Sequence, residues 1–232
     1  MSTVLVVGAT QGTGRALAAE YARRGADVLI TGRTQERATT VAEELAKETG
    51  GTVTGLALDL SRPADIAAAL EAVPQVDRLA LVGMVRDMNT ARAYDVAAAT
   101  TLATTKIVGY TAVVTTLYPR MSADASVLLF GGMAKDFPYP GSTTLTAVNA
   151  AVQGLVRTLS VELAPVRVNS LHPWAIVDSP FVVDNEQLQD GARKMTLTGR
   201  LATMADIVDG CLFLLENPMA NAIDLTLNGG IA

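Results

Sequence analysis

The stretch Val4-Leu5-Val6-Val7-Gly8-Ala9-Thr10-Gln11-Gly12-Thr13-Gly14-Arg15 opens with an apolar run typical of a buried strand and passes into a helical pattern. Gly8 allows a tight turn, Gly12 lets the backbone approach a pyrophosphate, and Gly14 allows the helix to pack against the strand. The helix N-terminus adds a partial positive charge there. This order predicts a dinucleotide-binding turn, although a purely structural turn would use the same residues. The residues expected to line the phosphate site are Gly8, Thr10, Gln11, Gly12, Thr13 and Gly14.

The rest of the chain alternates short apolar runs with longer helical patterns, which is typical of βαβ units. Strands are expected at residues 3–7, 27–31, 53–58, 78–82, 126–130, 166–171 and 223–227. Helices are expected at residues 14–24, 35–49, 63–72, 92–121, 142–163 and 204–216. The sequence therefore predicts an α/β fold of the Rossmann type, a doubly wound, seven-stranded parallel sheet with helices on both faces.

Length and composition favour a single domain spanning residues 1–232, because 50% of the residues are apolar and only 18% are charged. The net charge of −5 disfavours nucleic acid and membrane partners, which attract basic proteins. The single cysteine, Cys211, cannot form an internal disulfide or a metal cluster, and no metal site is expected. A strand begins within three residues of the N-terminus, and no apolar run is long enough for a membrane span, so we expect a cytoplasmic protein.

The end of the second predicted strand, Thr31-Gly32-Arg33-Thr34, bears on the choice of dinucleotide. An NAD-binding domain usually carries an acid here that accepts hydrogen bonds from the ribose hydroxyls, and this chain has none. Gly32 leaves space, and Arg33 can bind a 2′-phosphate with help from Thr34 and Arg15. The sequence therefore predicts NADP(H), although Arg33 could instead be a solvated loop arginine.

Several segments, in this order along the chain, resemble the short-chain dehydrogenase/reductase family. They are the glycine run, Asp59-Leu60, Arg167-Val168-Asn169-Ser170-Leu171-His172-Pro173 with Ile176, Gly199-Arg200-Leu201-Ala202, Phe213-Leu214 and Asn228-Gly229-Gly230. The resemblance implies that Asp59 and Leu60 contact the adenine. It also implies cofactor contacts from Gly83 after the fourth strand, and from Pro173 and Ile176 around the nicotinamide carboxamide.

The family's catalytic asparagine, serine, tyrosine and lysine have no counterparts at their usual places in this chain. The resemblance places Lys106 at the asparagine, Gly131-Gly132 at the serine, Leu145 at the tyrosine and Asn149 at the lysine. In the family the tyrosine donates a proton, the serine polarises a carbonyl and the lysine lowers the tyrosine pKa. Leucine and glycine can do none of this, so cofactor binding is expected with altered chemistry.

Two of these changes, Asn149 at the family's lysine and Lys106 at its asparagine, suggest that the lysine ammonium group has moved from one helix to another. We expect Lys106 to reach towards the nicotinamide ribose and the substrate, and Asn149 to bond the ribose hydroxyl; alternatively, Lys106 points to solvent or an interface. Tyr139 is the best candidate for a replacement acid, although it could simply pack in its proline-flanked loop. Other candidates in that loop are Lys135 and Asp136, and a structural role is expected for His172.

The expected activity is that of an atypical NADP(H)-dependent oxidoreductase acting on a small, rather apolar substrate such as a carbonyl, enone or imine. Residues 178–203 are interpreted as a substrate lid beside Trp174, or as a structural excursion. The alternatives are an NADP(H)-binding sensor, scaffold or partner subunit without turnover, or an isomerase or lyase. The resemblance also implies a homodimer or homotetramer in which helices 92–121 and 142–163 pair. The apolar positions noted on these helices are Ala112, Val113, Val114, Leu117, Val152, Leu155, Val156 and Leu159.

Overall fold

Seven parallel strands form one sheet in the computed structural model, which describes residues 2–231. The strands are β1 (Thr3–Val7), β2 (Asp27–Gly32), β3 (Thr52–Ala57), β4 (Val76–Leu81), β5 (Met121–Phe130), β6 (Arg167–Pro173) and β7 (Asp224–Leu227). Their order is β3-β2-β1-β4-β5-β6-β7, so the chain reverses its direction of winding between β1 and β4. The predicted α/β fold with a seven-stranded parallel sheet is confirmed.

Helices cover both faces of this sheet. They are α1 (Gly12–Arg23), α2 (Gln35–Thr49), α3 (Ile66–Ala69), α4 (Val96–Ala103), α5 (Tyr110–Leu117), α6 (Thr143–Glu162), α7 (Glu186–Lys194) and α8 (Met204–Glu216). Val4 and Val6 of β1 belong to the core beneath α1 and α8, whereas Leu5 and Val7 belong to the core beneath α5 and α6. Alternate side chains of a strand face opposite sides of a sheet, which is why both sets are apolar. Within residues 2–231 no helix has the length and hydropathy that a membrane crossing requires.

The predicted helix at residues 92–121 is wrong in its bounds and in its continuity. It begins at Val96, and a π-helical segment, Thr104–Gly109, separates α4 from α5. Gly109 lies so close to the preceding β3 loop that a Cβ there would come 2.4 Å from the Leu60 carbonyl oxygen. Such single π turns inside helices are frequent at functional sites, and this one contains Lys106.

The helix predicted at residues 63–72 is also shorter than expected, because a 3₁₀ turn, Pro63–Asp65, precedes the four residues of α3. Conversely, residues 178–203 contain α7, which the weak periodicity of that segment concealed. The side chain of Asn185 caps α7 by accepting a hydrogen bond from the Leu188 amide at 2.9 Å.

The apolar positions noted on the helices predicted at residues 92–121 and 142–163, some of which were expected to be core, belong to the core of a single chain. Val113, Val114, Leu117, Val152, Val156 and Leu159 are all buried within one subunit, and Ala112 and Leu155 pack against the same cluster. The apolar faces of these two helices therefore cover the sheet. Assembly into a dimer or tetramer needs other surfaces.

Candidate active site

A cleft of about 1180 Å³ lies at the carboxyl ends of the strands. It begins at the turn after β1, passes the ends of β4 and β5, and ends beneath the segment that contains α7. Ligands of doubly wound sheets bind at this edge, where the strand order reverses. The fold alone thus makes this cleft the candidate active site.

The glycine turn that begins the cleft has the geometry expected of a phosphate cradle. Gly8 has a φ of +84°, and a Cβ there would lie 2.3 Å from the Cα of Gly83. A Cβ on Gly14 would lie 2.4 Å from the carbonyl oxygen of Gly8, so any side chain would push α1 away from β1. No side-chain hydrogen bond caps α1 at Gln11, which leaves the first turn of α1 open towards the cleft.

Two arginines stand at the end of β2, and the sequence prediction recognised one of them. Arg33 is exposed and lines the cleft as expected, whereas Thr34 is occupied as the N-cap of α2. Arg37 donates a weak hydrogen bond of 3.5 Å to the carbonyl of Thr10 in the glycine turn. Arg37 lies in the first turn of α2, four residues after Arg33, and this spacing could have identified it as a second arginine near the phosphate site. Arg15 instead pairs with Glu48 at 3.0 Å.

The adenine end of the cleft brings together residues that follow two strands, β3 and β4. Asp59 accepts hydrogen bonds from the amide of Ser61 at 2.9 Å and from its hydroxyl at 2.7 Å, and these bonds hold the carboxylate at the cleft wall. Leu60 is buried and packs beneath Gly83, whose carbonyl accepts a 2.9 Å hydrogen bond from Tyr110. The residues that the family resemblance assigned to the adenine therefore lie on one wall.

Lys106 lies at the floor of the cleft with none of its surface exposed to solvent. Its Nζ donates a hydrogen bond to the carbonyl of Phe130, the last residue of β5, and lies 5.6 Å from the centre of the Tyr110 ring. Burial, with a smaller contribution from the positive charge of Arg86, lowers the pKa of Lys106 to about 7. The alternative in which Lys106 points to solvent is wrong.

Three buried polar atoms in the cleft wall have no hydrogen-bond partner among residues 2–231: Asn149 Oδ1, Thr105 Oγ1 and Trp174 Nε1. Leaving such a group unpaired costs about 1 to 3 kcal/mol, so the three together indicate a polar ligand. Asn149 lies on α6 and is 2% exposed, and a Cβ on Gly132 would come 2.9 Å from its Nδ2. A ribose and a carboxamide offer the hydroxyl and amide groups that these atoms require.

The positions that the resemblance assigned to hydroxyl groups present none to the cleft. Leu145 lines it and packs with the buried apolar residues of α4 and α6. Tyr139 also lines the cleft, on a loop tied to Ser142 by a 3.0 Å hydrogen bond from the Tyr139 amide. Lys135 and Asp136 pair with one another at 2.6 Å and do not line the cleft. Of the three candidate proton donors in this loop, only Tyr139 is within reach of a ligand.

His172 serves a structural role, as expected. The ring is fully buried, its Nε2 lies 2.6 Å from Asp224 Oδ1, and its Nδ1 accepts a 3.1 Å hydrogen bond from the Gly132 amide. Asp224 also accepts hydrogen bonds from Ser170 and Gln153. Burial raises the pKa of this carboxyl, but the hydrogen bonds, that of His172 first, outweigh burial and hold the pKa below its usual range. Sequence reasoning missed Asp224, which lies 52 positions after its imidazole partner.

Residues 178–203 cover the open side of the cleft. Pro180 approaches the glycine turn, with its Cδ 3.7 Å from the position of a Cβ on Gly12. Leu188 and Ala192 of α7 line the cleft, as do Pro173 at the end of β6 and Ile176 just before this segment. The segment is therefore well placed to exclude water from a bound ligand.

Comparison with known protein families matches residues 8–231 to a short-chain dehydrogenase family described as enoyl-(acyl carrier protein) reductase. The chain belongs to the short-chain dehydrogenase/reductase family. Its curated relatives in this family include sulfoacetaldehyde reductase 2 of Chromohalobacter salexigens, which is 32% identical over 73% of this chain and 71% of the relative. The 3-oxoacyl-[acyl-carrier-protein] reductase of Aquifex aeolicus is 28% identical, with 98% of this chain and 96% of the relative covered.

A solved structure of the same family shares the fold. The crystal structure of 3-oxoacyl (acyl-carrier-protein) reductase from Agrobacterium tumefaciens with NADP bound superposes with a TM-score of 0.88. The alignment covers 99% of this chain and 93% of that one at 24% identity. At this level of identity the likeness establishes the fold alone.

Proposed function

We propose that this protein is an atypical NADP(H)-dependent oxidoreductase that transfers a hydride to or from a small, rather apolar carbonyl, enone or imine. One observation carries the proposal: a single cleft joins the glycine turn beneath α1 to a deep end where Lys106 and unpartnered polar atoms meet. When bound, the nicotinamide would supply or accept the hydride. The residues of the chain then have to bind the cofactor, orient the substrate and supply a proton to it.

NADP(H) fits the end of β2 better than NAD(H). Arg33 lines the cleft, Arg37 reaches Thr10, and neither Gly32 nor Thr34 offers a carboxylate to the ribose hydroxyls. Two guanidinium groups suit a phosphate with its two negative charges. NADP bound to the Agrobacterium tumefaciens reductase supports the same choice.

The proposed roles of the cleft residues follow from their unused hydrogen-bonding capacity. Asn149 would accept a hydrogen bond from a ribose hydroxyl through Oδ1, and Thr105 would complete the polar wall. Lys106 keeps one hydrogen bond to the Phe130 carbonyl and, when protonated, can give a proton from Nζ to the substrate. The neutral amine that remains is the form favoured by burial. Tyr139 is the alternative donor, and residues 178–203 would act as the lid.

A second candidate is an NADP(H)-binding protein without redox turnover. It is favoured by Leu145 and by Gly131-Gly132, which stand where the resemblance places the family's tyrosine and serine. Leucine and glycine have no side-chain group that can donate or accept a hydrogen bond there. Such a protein would retain the cofactor cleft and lose the chemistry. Both candidates therefore bind NADP(H), and only the first consumes NADPH with a substrate.

Titration with NADPH and NADH, followed by the fluorescence of Trp174, is the first test, because this sole tryptophan lines the cleft. Tight NADPH binding with much weaker NADH binding supports the cofactor assignment. Consumption of NADPH across a panel of carbonyls, enones and imines then supports the oxidoreductase, and binding without consumption supports the second candidate. Failure of both cofactors to bind, checked by calorimetry, would overturn both.

We also propose a homodimer or homotetramer, on the basis of the family resemblance. Val108 and Val161 are half exposed or more on the two helical regions expected to pair, so they could contribute to such an interface. Light scattering of the purified protein decides between this proposal and a monomer.

A further inference from the structure

Arg86 occupies an unusual place at the lid end of the cleft. It lies on the loop after β4, and its guanidinium carbon is 3.9 Å from the centre of the Phe181 ring, on the far side of the cleft. Stacking on an aromatic face uses the flat side of a guanidinium and leaves the N–H groups at its edge free to bind an acceptor. The contact therefore fixes the group without consuming its hydrogen bonds.

The charge of the Arg86 guanidinium is not paired within the described part of the chain. Among residues 2–231, Arg86 takes part in no ion pair with a carboxylate. Among the residues that the structure describes, the only carboxylate in the cleft lining is that of Asp59, which together with Arg33 also borders the small pocket at the ends of β2 and β3. At its lid end the cleft thus contains the Arg86 cation and the basic amine of Lys106, and no carboxylate among the described residues that line it there.

Besides the polar groups of Thr105, Tyr139 and Asn149, the walls around Arg86 and Lys106 carry several apolar side chains. They include Met84, Met88, Leu145, Trp174, Phe181 and Met195. Although Arg86 itself is exposed, a guanidinium that has no carboxylate partner and lies among apolar side chains favours an anionic ligand. A neutral apolar substrate would leave the charge of Arg86 without a partner.

We infer that the substrate carries a carboxylate on an apolar body, and that Arg86 is the specificity-determining residue that binds this carboxylate. The inference rests on the proposed function only in placing the substrate at the lid end of the cleft. Two edge N–H groups of the Arg86 guanidinium can pair with the two carboxylate oxygens, while the apolar body contacts the methionine and aromatic side chains. Phe181 holds the guanidinium at the cleft, so the lid contributes to recognition.

Calorimetric titration with hexanoate and with hexanamide tests this inference without requiring turnover. The two probes have similar shape and differ in charge. We expect hexanoate to bind at least tenfold more tightly than hexanamide, and added salt to weaken hexanoate binding. In R86M the preference for hexanoate should fall to less than twofold, whereas R86K should retain part of it because the charge remains.

R92M is the matched control, because Arg92 lies on the same loop, is exposed and does not line the cleft. It removes the same charge from the protein and should leave the preference for hexanoate unchanged. Each titration is run with and without NADP⁺, and melting temperatures establish that the variants are folded. Equal binding of the two probes, or a preference that R86M retains, would overturn the inference.

The outcome is separable from that of the proposed function. Loss of the hexanoate preference in R86M in a protein that consumes no NADPH would keep the carboxylate site and reject the oxidoreductase. NADPH consumption with neutral substrates, together with no preference for hexanoate, would keep the oxidoreductase and reject the carboxylate site.

Discussion

The imidazole of His172 lies directly against Gly131, so that a Cβ at position 131 would come 2.1 Å from both Nδ1 and Cε1. The ring cannot move aside easily, because Asp224 and the amide of Gly132 bind its two nitrogens. Glycine at position 131 is thus required by a buried histidine on β6. The next residue, Gly132, meets only the side-chain amide of Asn149.

This difference predicts that adjacent glycines respond unequally to alanine. G131A should lower the free energy of unfolding by about 2 to 3 kcal/mol, because a methyl group overpacks against a fixed ring. G132A should cost less than about 1 kcal/mol, since the Asn149 amide can rotate away. Urea denaturation of the two variants measures both values, and equal losses would show that the ring of His172 is not fixed.

Replacing Asp224 tests the hydrogen-bonded group around His172. D224N should reduce the free energy of unfolding by about 1 to 2 kcal/mol at neutral pH, because a partly exposed carboxylate loses charge-assisted bonds. A lowered carboxyl pKa stabilises the fold above the unfolded value, near pH 3.9, and this contribution is lost as the pH falls further.

The difference between the parent protein and D224N should therefore be constant above about pH 5 and shrink below about pH 4. Denaturation curves across this range provide the measurement. D184N is a control on an exposed lid carboxylate, and a pH-independent difference for D224N would contradict the assignment.

Much of this fold was predictable from sequence because buried parallel strands are short apolar runs between helices. Val4 to Val7 is such a run, and the glycines after it have fixed spacing, so β1, the phosphate turn and α1 could be located. The π-helical segment was not predictable in the same way. Its surroundings are rich in alanine and threonine, whose small side chains blur the apolar periodicity that would reveal a shift of helical phase.

The chemistry of the site was predictable only where a motif or a resemblance supplied a position. Lys106 was identified from its position in the family pattern, but its burial and its bond to Phe130 depend on packing between helix and sheet. The stacking of Arg86 on Phe181 joins residues from distant segments, and no local pattern signals it. Asp224 was missed for the same reason.

Cofactor preference should depend on Arg33 more than on any other single side chain at the end of β2. R33A should weaken NADPH binding by about ten- to a hundredfold, since about 1.4 kcal/mol is tenfold and a charge-assisted bond contributes somewhat more. NADH binding should change by less than about twofold, because NADH lacks the 2′-phosphate. Fluorescence titration of Trp174 measures both affinities.

R157A serves as the control, because Arg157 is exposed on α6 and does not line the cleft. R37A should give a smaller loss of NADPH affinity than R33A, because Arg37 makes only a weak 3.5 Å hydrogen bond to Thr10 and does not line the cleft. Parallel losses for NADPH and NADH in R33A would mean that Arg33 supports the fold of the turn and does not bind the phosphate.

The buried ammonium of Lys106 should leave a signature in the pH dependence of stability. Its folded pKa is about 7, whereas the unfolded chain holds this proton until about pH 10.4. Between these values the unfolded state binds more protons, so this group makes the free energy of unfolding rise with pH by up to about 1.4 kcal/mol per unit. K106M should remove that rise.

The stability advantage of K106M over the parent should accordingly be largest near pH 7 and shrink towards pH 10. Other groups with raised pKa values, such as Cys211 and Tyr110, are shared by both proteins and cancel in the difference. A difference that does not change with pH would mean that burial does not lower the pKa of Lys106 in the folded protein.

Turnover provides the second readout on Lys106. In the reducing direction its ammonium must be present to donate a proton, so kcat should fall as the pH rises through about 7. In K106M, kcat should fall about a hundredfold and no longer depend on pH in this way. In Y139F, both kcat and its pH dependence should be unchanged. If Y139F instead loses activity while K106M keeps the pH profile, the proton comes from Tyr139, and Lys106 acts only by positioning the end of β5.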